Sequence, residues 1–235
     1  MKIKCVWEHN GNDTLLYSSN LVGAFTRGAS KEIALSKMQG EVEAYLRWRQ
    51  GALSENAEIS IEQEKESTLD VCDADSDVIF EDEKKPLTME EYQELKALAL
   101  KSAQDFLALY ESVPDKHVSA LAPKKTFLGL KPCTAEEMYV HTRSVNSYYF
   151  GEIGVDADNE GTIYECRKRG FEELEKQENF LENRMILGSY DEEWSVRKVL
   201  RRFIWHDRIH GKAMYRMAVK TFVAANCTDV FRFES

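Results

Sequence analysis

The segment WSVRKVLRRFIWHDRIHGKAMYRMA, residues 194–218, carries an apolar row at Val196, Val199, Phe203, Ala213 and Met217, and two histidines, His206 and His210, stand in that same row. Three- and four-residue intervals put all of these side chains on one face of an α-helix, because 3.6 residues complete a turn. That face is the one a helix turns toward a core. Imidazoles placed there leave ring nitrogens in need of partners, at roughly 1–3 kcal/mol for each one left unsatisfied. The row therefore predicts a helix over about 195–223 whose histidines do more than pack. At i and i+4 they lie one turn apart and can chelate a single ion.

Three further segments upstream show the same spacing. Residues 88–113 align Tyr92, Leu95, Ala99, Ser102, Phe106, Leu109 and Val113; residues 134–153 align Met138, His141, Val145 and Tyr148; residues 160–187 align Phe171, Leu174, Glu178, Leu181 and Met185. Four such segments predict an antiparallel four-helix bundle. His141 repeats the irregularity of the last helix, taking an apolar position between Met138 and Val145. A core histidine bonded to its neighbours is the ordinary explanation for one such residue and a poor one for three on facing rows. Three neutral imidazoles suit one borderline divalent ion, Zn or Ni, and leave a coordination position for water or substrate.

Ahead of the bundle, residues 1–80 read as a small α+β unit. KIKCVWE (2–8) partly alternates, Asn10, Gly11 and Asn12 signal a turn, and 15–18 makes a second strand. Ser30 is an N-cap for a helix reaching about Trp48, EISIEQEK (58–65) is a third strand, and 76–80 is a candidate edge strand. The acidic run DVCDADSDVIFEDEKK (70–85) lacks the EF-hand pattern and reads as a solvated face or linker. Thr88 and Glu91 form a capping box just after Pro86. The expected organisation is a two-domain α+β protein: a sheet domain over 1–80, an acidic linker over 81–87, and an all-α antiparallel bundle over 88–235.

Composition narrows the function classes. With 43% hydrophobic and 31% charged residues but only 12 Gly and 4 Pro, the 235-residue chain is expected to be ordered and helix-rich. A formal charge of −10 and the lack of a basic stripe argue against a nucleic-acid partner. No apolar run approaches membrane-spanning length and MKIKCVWEHN is no signal peptide, so a cytoplasmic protein without a membrane partner is expected. Five scattered cysteines without a CxxC pair indicate reduced, packing thiols.

Two resemblances follow from these segments. YSSNLVGAFTRGASKEIALSKMQGEVEAYLRW (17–48), with its glycine-bounded GAFTRG followed by a helix opening Ser-x-Glu, resembles the HicB-like fold. Members often serve as antitoxin modules with a DNA-binding segment after them, and nothing of that kind follows here. Gly23 and Gly28 match no phosphate-binding pattern and read as turn geometry. Residues 194–218, together with EEMYVHTRSVNSYYFGEIG (136–154), resemble the last and second helices of the DinB/YfiT-like family over about 86–222. That resemblance implies a DinB-like four-helix bundle with a three-histidine metal site at His141, His206 and His210. Some members are metal-dependent thiol transferases or isomerases using low-molecular-weight thiols, others look like hydrolases, and many have no assigned activity.

Other residues are candidates for the chemistry. Glu178 and Tyr148, each on an apolar row, could face a metal cavity as acid, base or hydrogen-bond donor. His206-Asp207-Arg208-Ile209-His210 departs from the HExxH zincin motif where Asp207 replaces Glu, so Asp207 is read as a carboxylate supporting a ligand or facing solvent rather than as a base. Trp194 and Trp205 read as bundle packing, His9 and His117 have no companion ligands, and Cys133 stands just before a helix, where a thiol pKa can fall. The expected function is a metal-dependent enzyme acting on a small molecule by thiol transfer or hydrolysis. Its alternative is a non-enzymatic stress or sensor protein whose sheet domain binds a protein partner and whose metal is structural. A homodimer is expected by analogy, since related bundles often pair and the sheet offers an edge.

Overall fold

A computed structural model describes residues 1–11, 13–51, 57–126, 129–222 and 227–234; Asn12 of the expected turn and Val223 at the expected end of the last helix lie outside the described residues. The fold is mixed α/β, with a four-stranded N-terminal sheet and five α-helices. Strands β1 (Lys2–Asn10), β2 (Asp13–Ser18), β3 (Phe25–Gly28) and β4 (Glu58–Glu66) lie in the order β3-β2-β1-β4. β2 runs antiparallel to both β1 and β3, and β4 runs parallel to β1. Helix α1 (Lys31–Trp48) is capped by Ser30, whose side chain accepts from the Ile33 amide at 3.3 Å.

Alternation in β1 sends Ile3 and Cys5 toward the α1 residues Met38, Val42 and Tyr45, whereas Val6 joins Leu15, Tyr17 and Phe25 on the opposite side. That second side is covered as well, by Val71, Val78 and Phe80 and by Trp205 from the C-terminal helix. The segment expected as an edge strand over 76–80 forms no strand; it packs its apolar residues there and leads into a 3-10 turn, Glu81–Lys84. The acidic run is correspondingly not a solvated face throughout. Glu83 is buried against the Arg201 guanidinium, and its carbonyl accepts from Asn183 and from the Ser195 hydroxyl.

The helical half consists of α2 (Met89–Ser112), α3 (Ala135–Gly151), α4 (Ile163–Leu174) and α5 (Val196–Thr221), with short hairpins β5 (Lys125–Thr126) with β6 (Gly129–Leu130) and β7 (Ile186–Leu187) with β8 (Glu193–Trp194). α2 packs on α4 and α5, and α3 packs on the same two helices. Thr88, Thr134 and Thr162 open α2, α3 and α4 as capping boxes with Glu91, Glu137 and Glu165. The third helix is much shorter than the expected 160–187, ending at Leu174. Asn179 and Asn183 then take left-handed backbone conformations that asparagine tolerates and a continuing helix forbids, so Glu178, Leu181 and Met185 do not extend its apolar row.

Helix α5 is the axis of the molecule. Every residue from Lys198 to Arg208 is buried, because α2 and α3 cover one side and the sheet unit covers the other. Its cations are paired: Lys198 with Glu192 at 2.9 Å, Arg201 with Glu83, and Arg208 with Glu41 at 2.7 Å. Gly23 sits where its backbone nearly touches α5; at φ +96° a Cβ would also fall 2.3 Å from Ile204 Cγ2, so only glycine fits. One apolar cluster is continuous from Ile3 and Trp48 through Ile204 to Phe106 and Phe171.

Candidate metal centre

α3 and α5 lie side by side and bring His141 to His206 and His210, two positions one turn apart on α5. Ring centroids are 5.2 Å apart for His141 and His206, 4.6 Å for His141 and His210, and 4.3 Å for His206 and His210. One ring nitrogen from each lies within 4.8 Å of the others. His206 is 6% exposed and its Nδ1 is buried without a hydrogen-bond partner, while His141 and His210 are half-buried.

Burial is the first cause acting on all three, and it disfavours the charged ring. It lowers the His141 pKa, takes His206 well below the usual histidine value with help from His210, His141, Arg202 and Arg167, and brings His210 to about 3 with help from His141, Lys131 and Arg27. All three imidazoles are thus neutral at pH 7, the form that donates a lone pair to a metal. Neutral nitrogen donors converging at this range, one carrying an orphaned buried atom, fit a divalent ion; the three histidines can hold one.

The remaining candidates fall elsewhere. Tyr148 is 37% exposed and stands edge-on to Trp194, whereas its neighbour Tyr149 is buried at 3% with its ring 5.9 Å from His206. The core face of α3 runs through Met138, Thr142, Asn146 and Tyr149, so the expected row through Val145 and Tyr148 is displaced by one residue, about 100° of helix. His141 stands at the edge of that face, toward α5. Glu178 is exposed, past the end of α4, and touches none of the histidines. Asp207 is neither a solvent-facing carboxylate nor a partner of a ligand: fully buried, it binds the Arg167 guanidinium and accepts from Ser102 Oγ at 2.6 Å. Burial pushes its pKa up, and Arg167 and Ser102 pull it back.

Trp205 packs against Tyr17 and Phe25 of the sheet, at 5.7 and 6.3 Å, rather than inside the bundle. Trp194 is buried beside Tyr149 with Arg202 over its ring. His9 stacks on Trp7 and bonds Glu64, and His117 is exposed. The Cys133 thiol is pushed up, by burial and then by Glu137, so its position before α3 does not activate it. A cleft of about 950 Å³ opens between α1 and the C-terminal part of α5, lined by Phe25, Arg27, Arg47, Lys212 and Arg216 among others, and none of the three histidines lines it. Arg202, Tyr149, Arg27 and Lys131, the groups nearest in space or field to the centre, escaped the sequence reading. Only Arg202 belongs to the last helix; Arg27 ends β3, Lys131 precedes α3 and Tyr149 lies within it, so tertiary packing alone brings them to the centre. No protein-family model, curated protein or solved structure matches this chain.

Proposed function

We propose that the chain is a DinB/YfiT-like protein, fronted by a HicB-like unit, in which His141, His206 and His210 hold one Zn or Ni ion for metal-dependent thiol transfer or hydrolysis. The observation that carries this reading is the convergence of three neutral imidazoles, one with a buried, unpartnered Nδ1. When bound, such an ion supplies Lewis acidity toward a coordinated substrate oxygen or sulfur. The chain's own residues set the surroundings. Tyr149 and Trp205 present ring edges to His206, at 5.9 and 6.4 Å, and keep water from its inner side. Arg202 stacks over Tyr149 and donates to the Ser76 carbonyl at 2.8 Å, fixing that wall.

The second reading, a structural or sensory metal in a non-enzymatic protein, draws support from one feature. Among the described residues, no carboxylate belongs to the histidine cluster to move a proton. Elemental analysis of protein purified without chelator separates these readings from a metal-free bundle. The expected result is close to one Zn or Ni per chain, lost in His206→Ala; a folded chain that carries none and ignores added Zn(II) removes both. Turnover of thiol-transfer or ester substrates by the metal-loaded protein alone then selects the enzyme.

A further inference from the structure

The two sides of the histidine centre differ in charge: at His206 each cation has a carboxylate, Arg167 with Asp207 and Arg202 with Glu192 at 4.0 Å, whereas among the described residues none is paired this closely with Arg27 at His210. Three neutral imidazoles leave the full charge of a divalent ion uncompensated, and the charged groups acting on the rings are cations: Arg202 and Arg167 at His206, Lys131 and Arg27 at His210. The carboxylate nearest in sequence, Asp207, is committed to Arg167.

On the His210 side the cations come from two parts of the chain. The 3-10 turn Val71–Asp73 is held against α5, since Val71 and Ala74 share an apolar cluster with Trp205 and Ile209, the residues flanking the two ligands. Arg27, at the end of β3, donates from its guanidinium to the Cys72 carbonyl of that turn. Lys131, from the loop that precedes α3, reaches the same turn with its Nζ 3.8 Å from Asp73 Oδ1, and Lys124 lies 3.0 Å from that oxygen. At this turn three cations, Arg27, Lys124 and Lys131, thus stand against the carboxylates of Asp73 and, farther off, Asp13.

We infer, resting on the metal reading above, that the His210 side of the centre is an anion site: Arg27 and Lys131 attract the negatively charged part of a small substrate while another of its atoms meets the ion. Positive charge on a partly buried wall raises the local concentration of anions and disfavours neutral or cationic analogues. The inference also gives the sheet unit a function at the centre, because Arg27 and the 71–73 turn belong to it.

The test uses the full-length chain loaded with Co(II), whose visible spectrum reports thiolate ligation, titrated with 4-mercaptobenzoate and 4-mercaptobenzamide. These probes share one thiol and differ in a remote charge that cannot chelate the same ion. At low salt the carboxylate probe should bind at least about tenfold tighter, as expected for a charge several ångströms from two cations in a medium of intermediate dielectric. The preference should shrink toward parity in Lys131→Gln and in Arg27→Gln, and in wild type at about 0.5 M salt. Lys131 is exposed enough that its substitution leaves the fold intact, which keeps the test decisive if the Arg27 variant is unstable. Equal affinity for the two probes, or a preference that survives Lys131→Gln, overturns this inference alone. A chain that binds no Co(II) overturns the metal reading and this one with it.

Discussion

Leaving a buried imidazole nitrogen without a partner costs a metal-free fold about 1–3 kcal/mol, and His206 Nδ1 is such an atom. His206→Leu, similar in volume, is therefore expected to raise the stability of the metal-free protein by about 1 kcal/mol or more while abolishing any rise in Tm on adding Zn(II). Urea melts of the metal-free proteins and thermal melts with and without Zn(II) check the two halves; a destabilised metal-free variant would show that Nδ1 is satisfied, for example by ordered water. Asp207, the next residue, behaves oppositely. Removing it strands the fully buried Arg167 guanidinium, so Asp207→Ala should cost about 3–5 kcal/mol. Replacing both partners by Leu and Met should restore most of that loss, measured as a double-mutant cycle. His206 and His210 were legible because they interrupt an apolar row that α5 does turn inward, and His141 because it interrupts a similar row, although that row runs along the edge of α3's core face. The orientations of Tyr148 and Asp207 were not, since one residue is about 100° of helix and no pattern in the chain fixes the phase that finely.

Among the elements, α5 explains most of what the sequence understated. It reads as a helix with one apolar row, yet off that row Lys198, Arg201, Arg202 and Arg208 are buried too, because glutamates and carbonyls from distant segments meet them. Lys198 shows the cost. Burial brings its pKa down to about 8, against the partial opposition of Glu192. Below pH 8 folded and unfolded chains both hold the proton, and the penalty is fully present. Between about 8 and the usual lysine value of 10.5 the folded chain releases it first, so this residue's contribution becomes more favourable as pH rises. Stability of wild type relative to Lys198→Met should therefore climb over that window, and a difference that stays flat in urea melts from pH 7 to 10.5 would refute the assignment. Helix starts at Ser30 and Thr88 were readable because capping is local chemistry. The end of α4 was not, because an apolar row continues past it while Asn179 and Asn183 turn the backbone left-handed.

Over the whole molecule, the question is whether the sheet unit and the helices are separable, as the acidic linker expected over 81–87 suggests. The contacts across that line are those of a core. Trp205 makes edge-to-face contacts with Tyr17 and Phe25, Arg208 donates to Glu41 and to the Gly23 carbonyl at 3.1 Å, and Ile204 closes against Gly23 itself. Lys198 and Arg202 spend donors on the Asp77 and Ser76 carbonyls. A fragment beginning at residue 88 would expose Trp205 and leave Arg201 and Arg208 without Glu83 and Glu41, on a helix whose remaining neighbours offer no replacement. Each buried cation stranded in this way costs several kcal/mol unless the helix rearranges to solvate it, against a total stability of about 5–15 kcal/mol for a domain. The fragment 88–235 is accordingly expected to be poorly packed, with helical circular dichroism but no cooperative melt, while the full chain unfolds in one transition. A fragment with a sharp melt and Zn(II) affinity equal to the full chain would show that the helices need the sheet neither for folding nor for the centre, and would make α5 a packing surface rather than a shared core.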